Sequence, residues 1–268
     1  MNKWLGALAG AAVGAVAART ALAVFRRRAP YGDADTWART NHRGETVTLL
    51  EGPAFVAGAS AAVALAPGLP GRVRAAALVA GLGSGLLGAY DDIFGTTASK
   101  GFKGHLTALS KGEVTSGAVK ILGIGVTGLA AAVLAPKDHT ADALINGALI
   151  AGSANLANLF DLRPGRAIKV GLIAGAPLLP AAAIPLGAAA ALLPEDLGER
   201  AMLGDSGANA LGALLGLAAA TRLGRPGRLV ALGTVVALTA ASEKVSFTKV
   251  IAGNPVLHRI DMLGRRPI

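Results

Sequence analysis

The chain is a succession of long apolar runs separated by short polar segments. A helix that crosses a bilayer needs about 20 mostly apolar residues, and runs near this length recur along the whole chain. Pro180 divides one of them into two short runs, because proline removes an intrahelical hydrogen bond, although one kinked helix also fits the pattern. The pattern predicts nine membrane-spanning helices, with eight to ten as the range, at approximately 3–25, 47–66, 72–90, 116–135, 141–160, 167–180, 181–193, 206–221 and 228–241.

Composition assigns these helices to a membrane. The 268 residues are 53% hydrophobic and only 16% charged, whereas soluble domains are roughly 25% charged. Polar residues are confined to short connections, so no segment has the composition of a separate soluble domain. We therefore predict an all-α, polytopic integral membrane helical bundle, with a single domain over residues 1–268 and a short cytoplasmic tail at 242–268.

The net charge of +10 narrows the partners that this protein can have. Nucleic-acid binding favours clustered basic faces with interleaved aromatic residues, but aromatics are 4% of the chain, and Lys and Arg lie between the apolar runs. A membrane and anionic ligands explain the charge better, so we expect no nucleic-acid partner. The absence of Cys excludes disulfides and thiolate metal sites.

The distribution of Lys and Arg predicts the orientation in the plasma membrane. Arg26, Arg27 and Arg28 follow the first run and outnumber Lys3, which precedes it, so the N-terminus is expected outside the cell. With nine spans, the cytoplasmic segments carry more than twice as many Lys and Arg residues as the outer ones. Those cytoplasmic segments are 26–46, 91–115, 161–166, 194–205 and 242–268.

Two adjacent carboxylates, Asp91 and Asp92, end the third apolar run in the sequence GLLGAYDDIFG. A helix C-terminus already carries partial negative charge and disfavours carboxylates, so another group should offset them. The pair either begins an ordinary solvated loop or belongs to a site that binds a cation or a phosphate.

The fifth run ends in periodically spaced polar residues, in the sequence GSANLANLFDLRPGRA. Asn155, Asn158 and Asp161 are three residues apart, which places them on one face of a helix. They form either a polar binding site at the membrane edge or a ladder of hydrogen bonds between packed helices. Arg163, Arg166 and Lys169 follow, and they either add anion-binding capacity or serve only as anchors of the topology.

Asp205 is flanked by glycines just before the eighth run, in the sequence ERAMLGDSGANALGALLG. Asp is a favoured N-cap residue, and locally the cap is the simpler explanation. Alternatively, its carboxylate holds a metal ion while the helix N-terminal amides face an anion.

All three polar groups fall at predicted cytoplasmic helix ends. Oxygen ligands without Cys or a His cluster suit Mg²⁺, which commonly bridges to substrate phosphates. Two charged residues also lie inside predicted spans, Glu51 in the second and Lys120 in the fourth, and intramembrane ionisable residues are candidates for function. Both lie near the cytoplasmic end, where a side chain extended toward the interface is the alternative explanation.

Together these segments resemble the polyprenyl-phosphate N-acetylhexosamine-1-phosphate transferase family, which includes phospho-N-acetylmuramoyl-pentapeptide transferase. YDDIFG is similar to the acidic pair of that family, NLANLFD to its Asn-x-x-Asn-x-x-Asp motif, and LGDSGANALGALLG to its Gly-Asp-x-Gly motif. NHRGETVTLLEG is similar to its Asn-x-Arg-Gly segment, and Lys103 and Lys120 resemble its basic positions. The motifs keep the family's order over roughly residues 40 to 216.

The resemblance implies transfer of a sugar 1-phosphate from a UDP-sugar to polyprenyl phosphate at the cytoplasmic face, with release of UMP and a requirement for Mg²⁺. It implies that Asp205 is a Mg²⁺ ligand. The implied catalytic residues are Asp91, Asp92, Lys103 and Lys120, and the implied substrate-binding residues are Arg43, Asn155, Asn158 and Asp161. Related enzymes act in cell-wall biogenesis and suggest a homodimer.

The sequence also departs from the family pattern. Leu162 stands where the family commonly has Gly after the Asp, Met202 stands at a position that is commonly aromatic, and the tail has His258 instead of a His-rich motif. These departures favour a divergent enzyme. They also leave open a catalytically inactive relative that binds lipid phosphate or a partner in cell-envelope assembly. A transporter is a third class, although the polar motifs gather at one face and not at the membrane midplane.

Overall fold

The computed structural model describes residues 3–95, 115–136 and 139–267. Eleven α-helices and one two-stranded sheet make up the regular structure of the described residues. The helices are α1 (Lys3–Arg27), α2 (Glu51–Leu65), α3 (Gly71–Phe94), α4 (Ser116–Leu134), α5 (Asp142–Phe160), α6 (Arg166–Gly175), α7 (Ala183–Leu197), α8 (Gly204–Arg222), α9 (Arg225–Ser242), α10 (Phe247–Gly253) and α11 (Pro255–Met262). The strands are β1 (Ala38–Thr40) and β2 (Thr46–Thr48).

Each of the nine predicted apolar runs contains one of the helices α1 to α9. The two runs on either side of Pro180 form separate helices, because α6 ends at Gly175 and a short 3₁₀ turn at Ala176–Leu178 precedes α7. The predicted cytoplasmic tail also contains two helices, α10 and α11, which the apolar pattern did not predict because both are short.

The number of membrane spans is the part of the fold prediction that is not confirmed. Among the described residues, four helices are long and apolar enough to cross a membrane: α1, α3, α4 and α5. A fifth is added if α9 and α10, which meet at a bend of 97°, count as one broken span. Helix α2 is apolar but has only 15 residues. Several apolar helices long enough to span a bilayer thus support a helical membrane protein.

Helix α8 lies at the centre of the bundle and is buried along nearly its whole length. It packs against α2, α3 and α5 through positions where only hydrogen fits. A Cβ built on Gly212 would lie 2.2 Å from the Ser153 carbonyl oxygen of α5, and one built on Gly88 of α3 would lie 2.3 Å from the Asp205 carbonyl oxygen. Small residues let the backbones approach closely, as membrane helix packing favours.

The β-hairpin is the one departure from an all-α fold in the described residues. Strands β1 and β2 are antiparallel, with Ala38 opposite Thr48. The run predicted to be helical from residue 47 begins as a strand because Thr46, Val47 and Thr48 are β-branched, and such side chains favour extended backbone. The Met202 amide donates to the Thr48 carbonyl at 3.0 Å, which joins the hairpin to the segment before α8.

Helix ends that carry the polar motifs meet at one end of the bundle, which we call the site end. The rings of Tyr31, after α1, and Phe94, at the end of α3, have centroids 6.0 Å apart. The N-termini of α4 and α8 reach the same place, because Lys120 and Asp205 contact the C-terminal turn of α3.

Candidate functional site

A cation and two carboxylates from three different helices meet at the site end. The Lys120 ammonium of α4 lies 2.6 Å from the Asp91 Oδ2 of α3 and also contacts the Asp205 Oδ2 of α8. Their side chains are between 15% and 26% exposed, so a ligand can still reach them. The Thr115 hydroxyl caps α4 by accepting from the Ala118 amide, which fixes the first turn of the helix that carries Lys120.

Asp92, the neighbour of Asp91, has a different environment. Its Oδ1 accepts from the Asp205 amide at 3.0 Å, and its Oδ2 accepts from the Ser206 amide at 2.9 Å. Both amides belong to the first turn of α8, where N–H groups have no partner within the helix. Asp92 therefore caps α8 from another helix, and its negative charge is offset by the positive end of the α8 dipole.

Asp205 is not the N-cap of α8. Leu203 occupies the cap position and makes no side-chain cap hydrogen bond, while Asp205 lies in the first helical turn. The local N-cap explanation of Asp205 is therefore wrong, because Asp92 supplies the capping oxygens. Its own carboxylate is left to face Lys120.

Asp161 brings a third carboxylate to the N-terminus of α8. It follows α5 directly, it is 8% exposed, and it lies near the Gly204 amide. Burial, reinforced by the nearby carboxylate of Asp196, raises the pKa of Asp161 well above its ordinary value. The N-terminus of α8 thus faces two carboxylates from two other helices.

Glycine makes this approach of carboxylates to backbone possible. Gly204 has a φ of +59°, a conformation that L side chains rarely adopt, and a Cβ there would lie 3.1 Å from both carboxylate oxygens of Asp92. On α3, Gly88 lets the Asp205 backbone pass at contact distance. The glycines of the motif therefore position the acidic residues and are not themselves ligands.

Of the two predicted amides of α5, Asn155 lines a different cavity from Asp161. Asn155 lines a cavity of about 500 Å³ between α4, α5 and α9, together with Lys120 and Glu243 and a mainly apolar wall. Asn158 is partly buried one turn further along α5. The periodically spaced residues therefore do not form one site. Asn155 lines the cavity that contains Lys120, whereas Asp161 lies near the N-terminus of α8.

A second cavity, of about 230 Å³, lies between the hairpin and the segments that follow α5 and α7. Asp161 and Met202, both at positions that the family resemblance associates with the nucleotide, line it together with Asp196 and Glu199. Glu199 has a φ of 55° and receives hydrogen bonds from the Arg43 Nε at 2.9 Å and the Asn41 Nδ2 at 2.8 Å. Backbone strain of this kind is typical of functional sites.

The adjoining cavity, of about 350 Å³, is strongly basic. Its charged and imidazole lining residues are His42, Arg43, Arg163, Arg166, His258, Asp261 and Arg265. Asp261 is the single acidic member of this described lining, and it is already paired with Arg166 at 2.7 Å and Arg265 at 2.9 Å. Burial lowers the pKa of His42, and the nearby arginines lower it further against the opposing charge of Glu199. The cavity therefore suits an anion.

The donor set at Asp91 and Asp205 fits a divalent cation that is completed by substrate oxygens. In the part of the chain that the structure describes, no three acidic or imidazole side chains form a group that could hold a metal ion. Mg²⁺ is often held by only one or two carboxylates, with phosphates and water supplying the remaining ligands. The Lys120 ammonium, in contact with both carboxylates, is a positive charge at the place where such an ion would lie.

Several site residues escaped the sequence prediction, and one predicted residue cannot be located. Lys103 lies outside the described residues. Arg39 of β1 donates to the Asp92 carbonyl, and nothing in its sequence context indicated this contact. Asp196 and Glu199 were also missed, although LPEDLGER holds three acidic residues in a chain that is poor in charge. That cluster was a usable signal.

Comparison with known proteins does not assign a family to this chain. Neither a scan against protein-family models nor a search of curated proteins gives a match.

Proposed function

We propose that this protein is a membrane-embedded transferase that moves a sugar 1-phosphate from a UDP-sugar to polyprenyl phosphate, producing a polyprenyl-diphosphate-sugar and UMP. The observation that carries the proposal is the meeting of Asp91, Lys120 and Asp205 at the N-terminus of α8. Phosphoryl transfer needs positioning and neutralisation of phosphate charge more than covalent chemistry. The Lys120 ammonium supplies positive charge for this neutralisation, and the order of the motifs resembles that of the polyprenyl-phosphate sugar-1-phosphate transferases.

In this account an oxygen of the lipid phosphate forms a bond to the β-phosphorus of the UDP-sugar. The bond between that phosphorus and the bridging oxygen breaks, and UMP leaves with the oxygen. Asp91 is the carboxylate suited to accept a proton from the lipid phosphate, because both oxygens of Asp92 are occupied by amides of α8. Lys120 offsets the charge of the phosphate oxygens.

Asp91 and Asp205 would hold Mg²⁺. When bound, the ion supplies positive charge to the phosphate oxygens during transfer. Asp92 acts as a positioning residue, since its carboxylate fixes the backbone on which Asp205 is carried.

The three cavities match the parts of the two substrates. The small cavity with Asp161 and Met202 suits the uridine, and the basic cavity beside it suits an anionic part of the donor other than the reacting β-phosphate, which would lie next to Lys120. The two cavities share His42 and Arg163, so one nucleotide can extend across both. The apolar cavity with Lys120 at its polar end suits the start of a prenyl chain whose phosphate lies next to the ammonium.

The test is release of UMP by the purified protein from a panel of UDP-sugars, with polyprenyl phosphate and Mg²⁺ present. We expect one or more donors to yield UMP, and we expect Asp205→Asn to abolish it, because a neutral amide oxygen binds Mg²⁺ more weakly than a carboxylate does. Absence of UMP across the panel, in protein that retains its unfolding transition, would count against the proposal.

A second candidate is a catalytically inactive relative that binds lipid phosphate or an envelope-assembly partner. The observation that favours it is the Lys120 ammonium, which already neutralises the two carboxylates that an active enzyme would use for a cation. It predicts normal cellular function in an Asp91→Asn, Asp92→Asn, Asp205→Asn triple variant. Loss of function at normal membrane abundance would exclude it.

A further inference from the structure

Three arginines converge on one carboxylate at the seam between α1 and α7. Glu195 of α7 accepts from the Arg19 Nη1 at 2.9 Å and from the Arg26 Nη2 at 2.7 Å, both on α1. The Arg200 Nε also donates to Glu195, at 2.9 Å. Glu195 is buried, whereas the three arginine side chains are between 40% and 57% exposed.

This arginine cluster, defined as Arg19, Arg26 and Arg200, carries more charge than its carboxylate can neutralise. Three guanidinium groups contact one carboxylate, so the cluster has a net charge of +2. The buried Glu51 interacts electrostatically with Arg26, and if its carboxyl group is also counted as ionised, a net charge of +1 remains. In the described structure, Arg19 and Arg26 each use one terminal nitrogen for Glu195. A guanidinium has five N–H donors, so each retains donors for a further acceptor.

The position of the cluster indicates what that acceptor is. Arg19 and Arg26 are seven residues apart, and so lie on one face of α1, which is one of the four helices that could span a membrane. Arg19 lies eight residues before the end of α1, which is roughly 12 Å along the helix axis. Val16, one turn earlier on α1, is 67% exposed. Excess positive charge therefore lies directly beside an exposed apolar surface.

We propose that the arginine cluster binds the phosphodiester headgroup of an anionic phospholipid, whose acyl chains lie along the apolar face of α1 near Val16. Guanidinium groups pair with phosphate through two parallel hydrogen bonds, and basic pockets between membrane helices bind anionic headgroups in this way. The ligand is a lipid and not free phosphate because the cluster adjoins apolar surface. The lipid would join α1 to α7 at the site end.

The test is native mass spectrometry of the full-length detergent-solubilised protein, titrated with dioctanoyl phosphatidylglycerol or dioctanoyl phosphatidylcholine. We expect tighter binding of phosphatidylglycerol by about tenfold, and we expect Arg19→Gln with Arg26→Gln to abolish this preference. Arg27→Gln with Arg28→Gln is the matched control, because it removes the same charge from exposed neighbours at the same end of α1. The control should keep the preference.

Two outcomes would overturn the proposal. The first is that the wild type shows no preference for phosphatidylglycerol over phosphatidylcholine, or that the control variant loses this preference as completely as the Arg19→Gln, Arg26→Gln variant does. The other is inorganic phosphate that binds as tightly as phosphatidylglycerol and displaces it completely, which would indicate an anion site without a lipid. If the double variant does not fold, Arg200→Gln is the alternative, because it leaves both contacts between α1 and Glu195 intact. This variant should bind phosphatidylglycerol severalfold more weakly than the wild type. An unchanged affinity would also contradict the proposal.

Discussion

At the scale of single residues, the two adjacent aspartates of the third apolar run have different environments. Asp91 faces the Lys120 ammonium, whereas both oxygens of Asp92 accept from the backbone of α8. The sequence predicted that another group should offset this pair at a helix C-terminus, and the structure identifies the groups as a lysine and the N-terminus of another helix. No local pattern could have separated the two roles, because they depend on residues that are distant in the sequence: Lys120 for Asp91, and the Asp205 and Ser206 amides for Asp92.

Replacing Asp92 by Asn should destabilise the fold more than replacing Asp91. Asn offers one oxygen to two amide donors and turns its own NH₂ toward the other, so the cap and its charge are both lost. We expect a cost of about 1–2 kcal/mol and a lower thermal unfolding midpoint in detergent. Asp91→Asn should unfold near the wild-type temperature but show no turnover. Equal loss of stability in the two variants would show that Asp92 does not stabilise the fold by capping α8.

Lys120→Met should change cation binding and turnover in opposite directions. Removing an ammonium that contacts two carboxylates leaves their charge uncompensated, so Mn²⁺, used as a spectroscopic substitute for Mg²⁺, should bind about tenfold or more tightly. Turnover should fall, because the positive charge near the phosphates is lost. The measurement is a Mn²⁺ titration followed by electron paramagnetic resonance, with Lys249→Met as a control on the exposed tail. Unchanged Mn²⁺ affinity would contradict the placement of the cation between Asp91 and Asp205.

At the scale of elements, the site depends on how closely α3 and α8 pack. Apolar periodicity predicted both helices but gave no information on which faces meet. The chain contains 37 glycines, yet the individual contacts at Gly88 and Gly204 follow only from the three-dimensional arrangement. The apolar runs also did not predict β2, which the Met202–Thr48 hydrogen bond joins to the segment before α8, or the short tail helices α10 and α11.

Gly88→Ala should separate α3 from α8 and so disturb the site without removing any charged residue. The added methyl group would lie 2.3 Å from the Asp205 carbonyl oxygen, which backbone cannot easily avoid. We expect destabilisation of about 1–3 kcal/mol, measured as a lower unfolding midpoint, together with weaker Mn²⁺ binding. Gly233→Ala is the matched control in α9, because a Cβ there meets nothing within 4 Å. A Gly88→Ala variant as stable as this control would contradict the packing.

At the scale of the whole molecule, the arrangement predicts a polarised protein. Helix ends that carry the acidic and basic groups gather at the site end, as the alternating direction of successive helices requires, and the tail of α10 and α11 docks there through Asp261. The sequence predicted this common side from the number of predicted spans together with the distribution of Lys and Arg. It could not predict how far α2, α6 and α7 extend across the membrane, because each is shorter than the roughly 20 residues that a spanning helix needs.

Single cysteines should report this polarity directly, since the natural chain has none. Thr140→Cys lies before α5, at the end opposite the site, and Lys249→Cys lies in α10; both positions are exposed. If the N-terminus is outside, a membrane-impermeant maleimide on intact cells should label Thr140→Cys and spare Lys249→Cys until the cells are opened. Labelling of both in intact cells, or of Lys249→Cys alone, would refute the orientation.

The central claim is that the β-phosphorus of the donor moves with the sugar. The most direct measurement supplies a UDP-sugar carrying radioactive phosphorus only at the β position, with polyprenyl phosphate and Mg²⁺, and follows the label between organic and aqueous phases. The account predicts that label enters the lipid phase in the wild type, that unlabelled UMP appears in equal amount, and that Asp205→Asn transfers none. Label that stays in water-soluble UDP while sugar reaches the lipid, or that never leaves the donor across the whole panel, would contradict it.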